Sequence, residues 1–466
     1  MASEVLTSIY HSVVPRSPGP ALTRMSLASG FSSIGGTMCS LTFAYLAFSE
    51  TKSALAAVAV GAAFALFYSL FAQPAGSLLR PFDRRWVFLG TNAVKLVNYS
   101  AVVVLQLMGA LDLVWILVAS AVGGLTSGAY FPAWQEILQN LSPKGKLDET
   151  DGLFSSAASI GSAVGALTGG IAIDALGAAV PLAINVLSYI PLMLLVARLP
   201  KAVGKPKEAD QEKATVKIPV RKLLKEIRTN RAVRLGVTFM ALLSFFAWPI
   251  VSLLPKVASE YGSGAHVYGV LLSAFYFGGI LVAGLVAVAK RKFGTYYALM
   301  RSALVAIGTA LLLIALVGFL PLADLPSIGL SIVVLVLLGI VLGISGAVLT
   351  AVTQQSADRE IEGPVLAFYA AISMAAGAIG GLIEGTVADQ LEIWWLPMAS
   401  GLVILLLLLA LWVRNRFVEP AGKDPEGREL QRLSTTGTPT EDAPYANKVS
   451  GGGSQPLSAG TSSGGS

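Results

Sequence analysis

The sequence predicts an all-α polytopic membrane protein: twelve transmembrane helices in two pseudo-symmetric six-helix bundles. Three observations carry this. Of 466 residues, 54% are hydrophobic and only 13% charged, roughly half the charged share of a soluble domain. Apolar runs of about 20 residues recur along the whole chain, each long enough to cross a hydrocarbon core. One strongly basic stretch divides these runs six and six.

Read against turn signals, the runs place spans at about 25–48, 54–79, 86–108, 113–135, 153–173, 180–197, 233–254, 267–289, 295–317, 328–352, 364–386 and 395–413. The runs are continuous rather than alternating, so helices are expected and not barrel strands. Residues 1–20 contain no apolar core long enough for a cleavable signal peptide. They are expected to form a cytoplasmic segment, with the first span directing insertion. An N-terminal bundle then covers 21–198, a basic linker 199–231 and a C-terminal bundle 232–416. The tail, 417–466, is rich in Gly, Ser, Thr and Pro, a composition that predicts a disordered cytoplasmic extension.

Orientation follows from the basic residues. With the N-terminus cytoplasmic, Arg16, Arg24, Arg80, Arg84, Arg85, the linker cluster, Lys290–Lys292, Arg414 and Arg416 fall inside, and the outer loops hold only Lys52 and Lys256. Both termini are therefore expected in the cytoplasm of a plasma-membrane protein. Residues 198–234 carry twelve Lys/Arg against four Asp/Glu. This surplus exceeds the chain's net charge of +6, so the charge marks topology and not a nucleic-acid surface. Within the linker, Val220, Leu223, Leu224 and Ile227 share one helix face, with Arg221, Lys222, Lys225 and Arg228 elsewhere. This is the pattern of an amphipathic helix on the inner membrane surface or of a solvated linker helix.

Several chemistries find no support. Cys39 is alone, and His11 and His266 are far apart in sequence, so neither a disulfide nor a metal site is expected. There is no Walker-type phosphate loop and no nucleophile–base set. No cofactor and no enzymatic activity are expected.

The two halves echo one another. "DRRWV" (83–87) precedes the third span and "KRKFG" (290–294) the ninth. "GSAVGALTGG" (161–170) and "GAIGG" (377–381) mark the fifth and eleventh, followed by Asp174 and Glu384 respectively. Paired halves about a central site are a transporter trait. Glycines four apart, as at Gly161, Gly165 and Gly169, let two helix backbones meet closely.

Three stretches bring a family into view. "GSLLRPFDRRWV" (76–87) resembles the inner-loop signature of the major facilitator superfamily through Gly76, Arg84 and Arg85. Arg80 stands where that signature has an acid, leaving Asp83 as the nearby carboxylate. The run Gly161, Gly165, Gly169, Gly170 is similar to the superfamily's antiporter motif, with Ala166 in place of its proline. "GAYFPAWQEILQNLSPKGKLDETDGLFSSAASIG" (128–161) resembles the branch of enterobactin (siderophore) exporters and macrolide-efflux proteins through Phe131, Pro132, Ala133, Leu147, Gly152 and Leu153. The resemblance covers about residues 20–417. It implies a secondary transporter driven by an ion gradient, and the glycine motif implies exchange.

Charges within the spans are the site candidates, because an ionised side chain at mid-membrane is costly. Lys95 lies deep in the third span, with Asn92 and Asn98 three residues to either side on one face. Its counterpart in the other half is Arg301. Glu384 is the leading carboxylate, ahead of Asp112 and Asp174 near outer helix ends. Tyr130 and Trp134 suit a bulky, partly aromatic substrate. Lys95 can serve packing, line a wet cavity or take part in coupling. The expected function is proton-coupled export of a medium-sized organic molecule, such as an antibiotic, siderophore or other secondary metabolite, by a monomer in the lipid bilayer. The alternatives are import of a polar solute and a transporter-like sensor that moves nothing.

Overall fold

The computed structural model describes residues 19–79, 81–143, 146–204, 220–261, 264–293, 296–319, 324–357 and 362–413. Residues 1–18, residues 205–219 of the linker and the tail expected to be disordered lie outside these residues. The first half comprises α1 (Pro20–Thr51), α2 (Ala54–Leu78), α3 (Arg84–Leu107), α4 (Leu113–Leu141), α5 (Leu147–Leu176), α6 (Ala179–Ala197) and the single turn α7 (Lys201–Gly204). The second comprises α8 (Val220–Thr229), α9 (Arg231–Phe246), α10 (Pro249–Ser252), α11 (Leu254–Glu260), α12 (Ala265–Phe293), α13 (Tyr296–Phe319), α14 (Asp324–Ser356), α15 (Glu362–Ala388) and α16 (Trp395–Val413). Among the described residues, ten helices are long and apolar enough to cross a membrane. Val305–Phe319 and Trp395–Ala410 supply shorter apolar stretches at the ninth and twelfth places. The fold is that of an all-α polytopic membrane protein.

Local chemistry sets the boundaries. Asp83 caps α3 by accepting from Arg85 N–H at 2.9 Å, and Asp112 caps α4 by accepting from Trp115 N–H at 3.0 Å. Asn230 caps α9 by accepting from Ala232 and Val233 N–H at 3.1 and 3.3 Å. Each cap satisfies backbone donors that a helix start leaves free. Gly109 and Gly177, at φ +67° and +82°, turn the chain after α3 and α5 in conformations that favour glycine.

Two expectations change. The seventh span is present as Arg231–Ser252 but is interrupted: α9 and α10 lie within it, and α11 follows it. Pro249 lacks the N–H a continuous helix needs, and just before it Trp248 N–H reaches back five residues to the Leu243 carbonyl at 3.3 Å. The apolar face of α8 also meets protein. Leu223 is buried in the core and Ile227 packs against it, whereas Leu224 stays exposed beside Arg221, Lys225 and Arg228. The helix docks on the second half rather than lying on lipid with its whole apolar face.

The side of the bundle carrying the linker is termed the linker end, and the opposite side the far end. The first half holds two small cores, one around Phe88, Trp134, Ile137 and Phe154 at the linker end. The other gathers Cys39, Phe43, Tyr99, Ile116 and Leu182 at the far end. A larger core runs through the second half and takes in Leu41, Ala54, Val58, Ala166 and Ile173 from the first. Lipid tails are as apolar as these side chains, so close packing and hydrogen bonds must carry much of the helix association.

Candidate functional site

Lys95 stands on α3 one turn before Tyr99 of the far-end core and two turns after Phe88 of the linker-end core. It is 8% exposed. Its ammonium lies 4.5 Å from the centroid of the Tyr130 ring on α4. Tyr130 is stacked on Trp134 at 6.3 Å between centroids and tilted against Phe88 at 5.1 Å. Trp134 in turn meets Phe154 of α5 edge-on at 5.4 Å. The structure thus brings Lys95, Tyr130 and Trp134 into one aromatic cluster, and no carboxylate of the described residues pairs with the ammonium.

The flanking amides are occupied elsewhere. Asn92 Nδ2 donates to the Phe88 carbonyl of its own helix at 2.8 Å, and Asn98 Nδ2 donates to the Ala119 carbonyl of α4 at 3.0 Å. The second bond ties α3 to α4 at a typical gain of about 0.6 kcal/mol. Glu384 is remote from Lys95 in the fold; it is half-buried and accepts from Ser400 Oγ of α16 at 3.1 Å. Arg301 belongs to α13, with its side chain outside the described residues.

At the linker end the basic turn is built on local pairs. Arg84, buried, donates through Nε to Glu136 Oε2 of α4 at 2.5 Å and through Nη1 to the Leu79 carbonyl at 2.9 Å. Arg85 Nη2 pairs with Asp83 Oδ2 at 2.7 Å, and its Nη1 donates to the Leu199 carbonyl at 2.5 Å. These hydrogen bonds to Arg85 hold the Asp83 carboxyl below the usual carboxylate range. Gly76 lies in the last turns of α2. The turn therefore fastens α2, α3, α4 and the end of α6 to one another.

The glycine run divides between two neighbours. A Cβ on Gly161 or Gly165 would strike the Gly30 or Ile34 backbone of α1, and one on Gly169 would lie 3.2 Å from Met38 Cγ. Gly170 faces the other half instead, where a Cβ would be 3.0 Å from Gly269 Cα of α12. Three glycines thus seat α1, and the fourth lets α5 touch α12.

Asp389 and Ser53, neither singled out from the sequence, complete this far end together with Lys256 and Asp174. Asp389, just after α15, accepts from Ser53 Oγ at 2.5 Å and from Ala54 N–H at 2.6 Å, at the start of α2. Lys256 of α11 donates to the Ala388 carbonyl that closes α15. Asp174, one of the lesser carboxylate candidates near an outer helix end, accepts from Ala265 and His266 N–H, both at 2.9 Å. The available signal was a helix-capping serine, "TKSALAAV", and an acid directly behind an apolar run, "VADQ".

Comparison with known proteins agrees with this architecture. Multidrug efflux pump Tap of Mycolicibacterium fortuitum is 26% identical over 387 residues, covering 80% of this chain and 90% of that protein. A variant of the nucleoside transporter NupG superposes with a TM-score of 0.69 at 12% identity, over 84% of this chain and 100% of that one. A D-xylose–proton symporter gives 0.64 at 14% identity, over 89% and 98%. These two likenesses show the fold. Residues 19–432 match the family described as transmembrane secretion effector. With that match spanning most of the chain, and with the helical membrane fold already described, the chain belongs to the transmembrane secretion effector family of major facilitator transporters.

Proposed function

We propose that the protein is a proton-coupled exporter of the plasma membrane, an antiporter that moves a medium-sized organic molecule such as an antibiotic, siderophore or other secondary metabolite outward. The observation that carries the direction is the likeness to an efflux pump over 80% of the chain. The siderophore and macrolide branch is favoured by the Phe131–Ala133 stretch within α4 and the approach to Gly152 and Leu153. The Lys95–Tyr130–Trp134 cluster supports a substrate with an aromatic body and an anionic or strongly polar group, because an ammonium in the membrane needs a counter-charge. Glu384, a half-buried carboxyl with a hydroxyl partner, is a site able to take up and release a proton. The termini are placed in the cytoplasm and the working unit is a monomer.

Purified protein in liposomes tests this. With an inside-acid gradient, the liposome lumen stands for the outside of the cell. Ethidium, a macrolide and a catechol siderophore supplied externally should then accumulate for at least one probe, with collapse on adding a protonophore. Accumulation that ignores the gradient would remove proton coupling. Counterflow of a sugar or nucleoside alone would turn the reading to import, and no counterflow of any probe would point to a sensor.

A further inference from the structure

At the far end the two halves are joined by a matched pair of carboxylates. Asp174, in the last turn of α5, accepts three bonds from the start of α12: Ala265 N–H and His266 N–H at 2.9 Å, and His266 Nδ1 at 2.5 Å. Asp389, one residue beyond α15, accepts three from the start of α2: Ser53 Oγ at 2.5 Å, Ala54 N–H at 2.6 Å and Leu55 N–H at 3.4 Å. Counted by span, the acid ending the fifth caps the eighth, and the acid ending the eleventh caps the second. The repeat that relates the halves maps one joint onto the other.

The electrostatics make each joint dependent on the opposite half. A carboxylate at the C-terminal end of its own helix faces the negative end of that helix dipole, which disfavours it. Against the N-terminus of a neighbouring helix it meets free N–H donors and the positive end. Separating the halves would leave each acid beside the wrong pole and uncap α2 and α12 together. Lys256 is placed to match, donating to the Ala388 carbonyl and bringing a cation to the end of α15.

Glycines provide the approach at both joints. Gly170 and Gly269 allow α5 against α12, and a Cβ on Gly385 would lie 3.0 Å from Leu55 Cα of α2. A Cβ on Gly264 would lie 2.8 Å from both oxygens of Asp174, so the acid reaches the start of α12 only past a residue without a side chain.

We propose that Asp174 and Asp389 are paired gate residues: their charged caps on α12 and α2 hold the far end shut, and release of both is the step that opens it during transport. The glycine contacts bring the helices together, and the carboxylates supply the part of the closure that can be broken and remade.

The test is a distance and needs neither substrate nor gradient, so it stands apart from the question of what is exported. In full-length protein with Cys39→Ser, spin labels are placed at Met108→Cys and Glu392→Cys, exposed far-end positions of the two halves. The parent should give one narrow, short distance population. Asp174→Asn with Asp389→Asn, which preserves size and removes both charges, should add a longer population, larger than either single change produces. Gly264→Ala, which displaces Asp174 without altering charge, should do the same in weaker form and serves if the double variant is poorly folded. Parent-like distances in every folded variant would overturn the proposal and leave the glycine packing as the whole closure.

Discussion

The Lys95 ammonium rests over the Tyr130 ring, 4.5 Å from its centroid. A cation–π contact of this kind is worth about 0.5–2 kcal/mol, whereas an ammonium at mid-span costs about 2.5–3.5 kcal/mol on insertion scales. The ring alone does not offset the charge. A cation kept at a net cost, inside an aromatic cluster and without a carboxylate partner among the described residues, is what motivates the proposal that Lys95 is used in transport.

Lys95→Met removes the charge at nearly constant length. The variant should insert and melt at an equal or higher temperature, since a net cost of roughly 0.5–3 kcal/mol disappears. It should transport at least tenfold more slowly or with a shifted pH profile. Lys95→Arg should restore only part of the rate, because a planar guanidinium does not replace a compact ammonium. Wild-type transport by Lys95→Met across pH would reduce Lys95 to a packing residue and make Glu384 the first coupling candidate.

Gly165 touches the Ile34 backbone, and a Cβ there would fall 2.9 Å from Ile34 Cα. Gly165→Leu should separate α1 from α5 and abolish transport, while protein remains in the membrane. Gly36, with nothing within 4 Å of an added Cβ, supplies the control, and Gly36→Ala should be nearly silent. Equal activity in the two variants would show that the α1–α5 contact is dispensable.

Asp83 yields a pH dependence with a definite sign. Its folded-state carboxyl is held low, chiefly by the Arg85 side-chain hydrogen bonds, against an unfolded value of about 3.9. The stabilisation is therefore complete above about pH 4 and lost as pH falls through the folded value. In thermal melts, the gap between wild type and Asp83→Asn should be constant from pH 7 to pH 5 and narrow only in stronger acid. A gap that closes between pH 7 and pH 5 would mean that another group controls this turn.

The basic residues of the linker predict that reporter fusions after Arg198 and at the C-terminus both read cytoplasmic. An external signal at either point would reverse the inner and outer assignments, and with them the direction in which the far end opens.

The sequence made the spans legible because hydropathy responds directly to lipid. It was less informative where helices leave the membrane. The "WQEILQNL" that extends α4 to Leu141 is polar yet helical, and hydropathy marks contact with lipid, not helical backbone. The break at Pro249 was missed for the reverse reason, since the apolar run passes through it without interruption. For the site, a charge in an apolar run singled out Lys95, and glycine spacing marked the α1 contact at Gly161, Gly165 and Gly169. Asn92 and Asn98 looked like company for the lysine but spend their donors on backbone carbonyls. Asp389 was out of reach because its partners lie more than 330 residues away, and only the assembled halves bring them together.

Proton movement on adding substrate tests the central claim most directly. Inside-out membrane vesicles carrying the protein are acidified by respiration and followed with a pH-sensitive dye, and the transported probe is then added. The account predicts proton release from the lumen at a rate that saturates with the probe, absent from vesicles lacking the protein. Probe uptake into the same vesicles with no proton release would contradict proton-coupled export.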